Sequence, residues 1–314
     1  MTSWTTGTHE EDKLNPADQW KNMEYPASLA TFAVVNSALN GPLMLISITG
    51  NVLVLAAIIR TPSIRSTSVT MLCSLAVSDL LVGFVAQPIF IANELTASRY
   101  IASMSEITAF VLCGVSVCTM TAISVERFIA LRYPMKYHSA GTTKWRVIYL
   151  SIFIIWIFNI LFAPFYLWQW TMYFSVMAVG CCLGIFVSTF SYIKIYRIVR
   201  RHHAQIHIQQ QAVLQNSTNP RNDFNMFAVR MKRSALNTFI FYVAMLLCYF
   251  PIIISLALSS ISYENWSKVW HLADTVAFLN SSINPILYCW RLRDLRIAVF
   301  KTFKDIICVQ TAQH

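Results

Sequence analysis

Charge is scarce in this 314-residue chain. Asp, Glu, Lys and Arg make up 12% of it, about half the share of a soluble domain, while 56% is hydrophobic. A large soluble helical core needs polar faces on its outer helices, and these are missing, which excludes that class. Period-two alternation is missing too. The apolar residues come in long runs, so helices and not a β-barrel are the expected spanning elements. Cysteine is absent from every segment expected outside: the eight fall at 73, 113, 118, 181, 182, 248, 289 and 308, in spans or on the inner side. Residues 1–25 are polar and hold no short apolar core before a cleavage site, so no removable signal peptide is expected. No HExxH-like cluster, no paired carboxylates at one membrane depth and no convergent Ser and His stand out, so the chain does not read as an enzyme. The histidines between 202 and 230 lack acidic or Cys partners, which argues against a metal there.

What is present is seven apolar runs, at about 29–59, 67–92, 104–126, 147–168, 172–196, 235–260 and 269–290, each long enough to cross a bilayer as a helix. The expected fold class is an all-α membrane protein: a seven-transmembrane helix bundle with a short amphipathic helix after the seventh span. Its expected parts are an extracellular tail (1–28), the bundle (29–290) and a cytoplasmic amphipathic helix and tail (291–314). Charge sets the orientation. With the N-terminus outside, only Lys13, Lys21, Arg99 and Lys268 of the 24 Lys and Arg face outward. The positive-inside bias therefore predicts an outer N-terminus and an inner C-terminus, as seven crossings require. The net charge of +10 is then a property of the cytoplasmic leaflet and not a nucleic-acid signal.

The chain is organised around 105–134, a nearly uncharged stretch that stops abruptly at Glu126-Arg127. Ala109 and Arg127 are 18 residues apart, five full turns, and Ser116 lies near the same stripe. Polar residues elsewhere in the spans must find partners inside the bundle. These are Asn51 in the first run, Asp79 in the second, and Asn280, Ser281, Ser282 and Asn284 in the seventh. Asp79 reads either as an ion- and water-linked hub, with Ser116 beside it, or as a structural hydrogen-bond anchor. Pro88 predicts a bend in the second helix, and Pro251 a kink in the sixth. Glu106 and Asp274 are outer-half carboxylates suited to a cationic ligand group; alternatively Glu106 pairs with Arg99. Asn265-Trp266-Ser267 is an N-glycan acceptor pattern. Beyond Trp290, Leu295, Val299, Phe300, Phe303 and Ile307 recur at helical spacing, predicting a helix along the inner leaflet. Cys308 is a palmitoylation candidate or a plain cytosolic thiol.

These features together resemble the rhodopsin-like (class A) G-protein-coupled receptors, over about 29–308. The matching pieces are Gly50-Asn51, LAVSD at 75–79, Glu126-Arg127-Phe128, Trp156, Tyr192, the Cys248/Pro251 pair and NPILY at 284–288. The resemblance implies a plasma-membrane receptor that passes an extracellular ligand signal to a heterotrimeric G protein, with arrestin as a further partner and lipid around it. It makes Glu126, Arg127, Tyr192, Pro251, Asn284, Pro285 and Tyr288 the inner switch, driven by outward movement of the sixth helix. It makes Asn51, Asp79, Ser116, Asn280 and Asn284 a sodium and water network, with Asp79 and Ser116 the metal ligands of an allosteric sodium ion; no cofactor is required. Ala109 stands where amine receptors carry their amine-binding Asp, and Phe278 where opsins carry the retinal lysine. A monoamine ligand and retinal are therefore not expected. Glu106, Ala109, Tyr249, Asp274 and Phe278 are the ligand-site candidates, for a peptide or a small lipid-like molecule.

The departures carry expectations of their own. Ala102 replaces the usual Cys at the outer end of the third span, so the disulfide to the second outer loop is not expected. Gly184 replaces the fifth-span proline, and Tyr249 the Trp before the sixth-span kink. Met231 replaces the acid that often faces Arg127, which predicts elevated basal signalling. The missing disulfide, missing proline and short loop are similar to the melanocortin branch, within a wider group of lipid and adenosine receptors. Asn284 and the missing acidic ligand residues depart from that branch. Two rival readings stand beside the receptor: a receptor-like partner that modulates another receptor, and a transporter.

Overall fold

The computed structural model describes residues 27–96, 98–213, 239–255 and 263–311. Met231 lies outside them, and the side chains of Asn265 and Cys308 lie outside the described ones. Every long element is helical. In chain order the long helices are α1 (Ala27–Arg60), α2 (Thr67–Leu95), α3 (Arg99–Arg132), α4 (Gly141–Trp168), α5 (Trp170–Val213), α6 (Phe239–Ser255), α7 (Tyr263–Arg291) and α8 (Arg293–Thr311). A one-and-a-half-turn helix, Pro134–Ser139, joins α3 to α4.

Five of these helices, α1 to α5, are long and apolar enough to cross a bilayer. The chain is thus a multi-span membrane helical bundle. The described part of α6 is apolar but shorter, and α7 carries buried Asp274, Asn280, Ser281, Ser282 and Asn284 along its length. α5 is 44 residues long, on the order of 66 Å at 1.5 Å per residue, and so extends well past the hydrocarbon.

The expected central rod is α3, which packs on α2, α4, α5 and α7. Its apolar stretch is 61% buried, against 17% for those of α4 and α5. Those two helices instead expose Phe153, Leu161, Leu183 and Phe186, as helices facing lipid do. Close helix approach rests on glycine at several places. A Cβ on Gly50 of α1 would lie 2.9 Å from Pro285 of α7, and one on Gly114 of α3 would lie 2.3 Å from Asn159 Oδ1 of α4. Gly184 lets Thr121 of α3 come against α5, where its hydroxyl reaches the Gly184 carbonyl at 3.4 Å.

Helix α2 departs from a plain α-helix earlier than its proline suggests. Val82–Ala86 forms a wide π-turn, closed by the Gln87 N–H on the Val82 carbonyl, before Pro88 enters the next turn. The proline ring conflicts with the carbonyl four residues back, and a wider turn gives it room. At the other end of the chain, α8 lies against α1 and α7. It buries Leu295, Ala298 and Val299 and leaves Ile297, Phe300 and Phe303 exposed, so only part of its apolar side packs on the bundle.

Candidate functional site

Three polar regions are stacked through the bundle, and the middle one is centred on Asp79. The carboxylate is fully buried. Oδ1 accepts from Ser281 at 2.8 Å and Ser116 at 3.3 Å, and Oδ2 accepts from the Asn284 amide at 2.8 Å. Ser78 joins Ser116 at 3.1 Å, and Ser47 of α1 donates to the Asp79 carbonyl at 2.8 Å. Asn51 donates to the carbonyls of Ser47 and Ser281 at 2.8 and 3.2 Å. One buried acid therefore ties α1, α2, α3 and α7 together. Among the described residues, both polar atoms of Asn280, the Asn51 carbonyl oxygen and the Tyr288 hydroxyl have no hydrogen-bond partner. Buried polar groups left so are the usual places for internal water. Asn280 makes no hydrogen bond to Asp79. Its neighbour Ser281, one residue and about 100° around the helix, makes that bond instead.

The inner region is built where α3 leaves the bundle. Glu126 is 6% exposed and accepts from Thr67 and Ser68 at 2.9 Å each. A third hydroxyl, that of Tyr137 in the connecting helix, also donates to it, and Tyr137 and Thr67 hydroxyls are 2.7 Å apart. Burial and the adjacent Glu126 push the Tyr137 phenol up to about 12. Arg127 is held much less closely: its Nε lies 3.8 Å from Glu126 Oε2. The Tyr192 hydroxyl meets Ser124 at 2.9 Å, and its ring packs on Tyr242 of α6 at 4.8 Å. Tyr288 packs edge-on against Phe241 of α6 at 5.4 Å. Pro251 lies inside α6, where Ser255 donates to its carbonyl at 2.9 Å.

The ligand-site candidates lie on α3, α6 and α7. Ala109, Tyr249, Asp274 and Phe278 are all buried. Tyr249 reaches across to the Cys113 carbonyl at 3.5 Å, and Phe278 stands edge-on to Phe90 at 5.3 Å. Glu106 takes a hydrogen bond from Trp270, while its Oε2 has no partner among the described residues. Asp274 is 4% exposed, and no hydrogen bond or ion pair to its carboxylate is found among the described residues. Phe110, Tyr173, Phe174 and Trp270 pack on one another edge to face or tilted, with rings 5.2–6.2 Å apart.

A fourth group was not anticipated. His271 Nδ1 of α7 lies 2.8 Å from Glu94 of α2, and Asn36 of α1 donates to the same carboxylate oxygen at 3.2 Å. Thr275 donates to Asn36 at 2.8 Å and accepts from Asn40 at 2.8 Å, and Gln87 reaches Asn40 at 3.4 Å. The signal for it was present: Asn36 and Asn40 are amides one turn apart in an apolar run, on one face by helical spacing.

Residues 50–172 match the model of a protein family described as 7 transmembrane receptor (rhodopsin family). That stretch carries a rhodopsin-like receptor fold. It contains Asn51, Asp79, Ser116, Glu126, Arg127 and Trp156, whose indole donates to Ser74 at 3.0 Å and docks α4 on α2. Over that stretch the chain is similar to membrane receptors of this family. Among the described residues no group of three or more His, Cys, Asp or Glu is placed to hold a metal ion.

Proposed function

We propose that this chain is a plasma-membrane G-protein-coupled receptor with seven crossings, its N-terminus outside and its C-terminus in the cytosol. A ligand bound among Glu106, Ala109, Tyr249, Asp274 and Phe278 favours one of two bundle arrangements. The inner half of α6 then swings outward and a Gα subunit enters beside Arg127. The observation that carries this reading is the position of the Glu126-Arg127 pair. Three hydroxyls hold the acid, and the arginine beside it is left 3.8 Å off, at the inner face. A cation held that loosely is free to take another partner at little cost.

Asp274 and Glu106 support a ligand that brings a cationic group to an otherwise apolar and aromatic wall, such as a basic peptide. Asp79, Ser116 and Ser281 supply oxygens suited to a sodium ion, and the unpartnered Asn280 side chain supports a water-filled surround. When bound, sodium adds a positive charge beside Asp79, and these residues serve to hold it.

Guanine-nucleotide exchange on a panel of Gα proteins tests the proposal, run with the natural chain and with Arg127→Gln at equal surface level. Exchange on at least one Gα, lost in the variant, is expected. Exchange that never depends on Arg127 would refute the mechanism, and solute flux across vesicles would replace it with a transporter.

A further inference from the structure

We infer that the cytosolic cavity between α2, α3 and α4 binds the phosphorylated headgroup of an acidic inner-leaflet lipid. The cavity measures about 350 Å³ and is lined by Arg65, Arg127, Lys144, Glu126, Tyr137 and Trp145, with residues 66–68 at its back. Its three cations face one carboxylate, so its formal charge is +2. That carboxylate is turned to the protein, since Thr67, Ser68 and Tyr137 already donate to it.

The back wall favours an anion as well. Helix α2 starts here with Ser66 as its cap: the Ser66 side chain takes the Val69 N–H at 3.3 Å, and its carbonyl takes the Thr70 N–H at 2.9 Å. The N–H groups of Thr67 and Ser68 have no acceptor within the helix and carry its positive end. Arg65 uses one donor on the Ile59 carbonyl at 3.0 Å, out of the five a guanidinium has. Lys144 sits over the Tyr137 ring, 5.4 Å from its centre.

A second feature points to a lipid and not to a free phosphate. Trp145 at the cavity rim stacks on Tyr149, with ring centres 6.3 Å apart. From there the exposed face of α4 continues through Leu150, Phe153 and Ile154 toward the hydrocarbon. A headgroup in the cavity would have its acyl chains along that wall. A soluble anion makes no use of it.

This site goes beyond the receptor reading and stands whether or not the chain couples to a G protein. The test uses the full chain in phosphatidylcholine nanodiscs, titrated with fluorescent phosphatidylinositol bisphosphate. Arg65→Gln combined with Lys144→Gln should weaken binding about tenfold or more. The charge-retaining pair Arg65→Lys with Lys144→Arg, and the pair Arg293→Gln with Lys301→Gln on α8, should bind as the natural chain does. Lys144→Gln alone should give an intermediate loss, which keeps the test valid if the double variant does not fold. Unchanged binding in the neutralised variants, or an equal loss in the α8 pair, would overturn the site. Competition by soluble inositol trisphosphate or inorganic phosphate at matching concentration, insensitive to Trp145→Ala, would overturn the lipid assignment.

Discussion

Removing one hydroxyl beside Glu126 should lower ligand-free nucleotide exchange. Glu126 is held in place by Tyr137 and Thr67 on Oε1 and Ser68 on Oε2, while Arg127 lies 3.8 Å from Oε2. Tyr137→Phe deletes one donor and keeps the ring beneath Lys144. A hydrogen bond to a charged group is worth about 1.5–3 kcal/mol, so the carboxylate gains about that much freedom to turn toward Arg127. In the proposed mechanism a closer pair restrains Arg127. Each ~1.4 kcal/mol is tenfold in an equilibrium, so ligand-free nucleotide exchange should fall about tenfold or more. The assay is basal exchange on the responsive Gα, with exposed Tyr133→Phe as the control that should change nothing. The phenol of Tyr137 is raised from its usual 10 to about 12 and stays protonated below that, so the variant-to-natural ratio should be flat from about pH 6 to 9. Basal exchange that holds or rises at equal surface level would refute the competition argument, and a ratio that collapses within that range would refute the protonated donor.

Four further outcomes follow from the packing and the buried acids. Gly114→Ala pushes a methyl to within 2.3 Å of Asn159 Oδ1 and should cost about 1–3 kcal/mol; adding Asn159→Ala should restore part of the melting temperature. Ser281→Ala removes a 2.8 Å bond to Asp79 and should flatten any difference in agonist affinity between sodium and choline salts at one ionic strength. Asp274→Asn should weaken agonist potency far more than surface level in a cell assay, and unchanged potency would remove it from the ligand site. Ligand-free second-messenger output should exceed vector background, as Met231 and the loose Arg127 contact both imply, and background output at normal surface level would contradict that.

The parts of the site that the sequence made readable are those where one polar residue interrupts an apolar run. Asp79, Asn51 and Asn284 had to point inward because nothing in lipid could satisfy them, and they do. Register was harder. Asn280 and Ser281 both look buried on paper, and only the rotation of α7 decides which touches the acid. The holders of Glu126 were not readable at all, since Thr67, Ser68 and Tyr137 are common surface residue types brought in by two other segments. The Glu94–His271 contact was missed for the same reason: its partners lie 177 residues apart in sequence and meet only once α2 and α7 are packed. Pro88 announced a departure in α2 but not its form, because a bend and a widened turn relieve the same clash.

That widened turn governs what the outer half of α2 can reach. Each residue advances a helix by about 100°, so the extra residue held at Val82–Ala86 sets the azimuth of everything above it. Deleting a single residue from that stretch would swing Gln87, Phe90 and Glu94 a quarter-turn or more around the axis. Glu94 would then turn away from His271, while Asp79 and the Thr67 end of the helix stayed where they are. The outer and inner halves of this helix can therefore be retuned separately, by length above and by side-chain identity below.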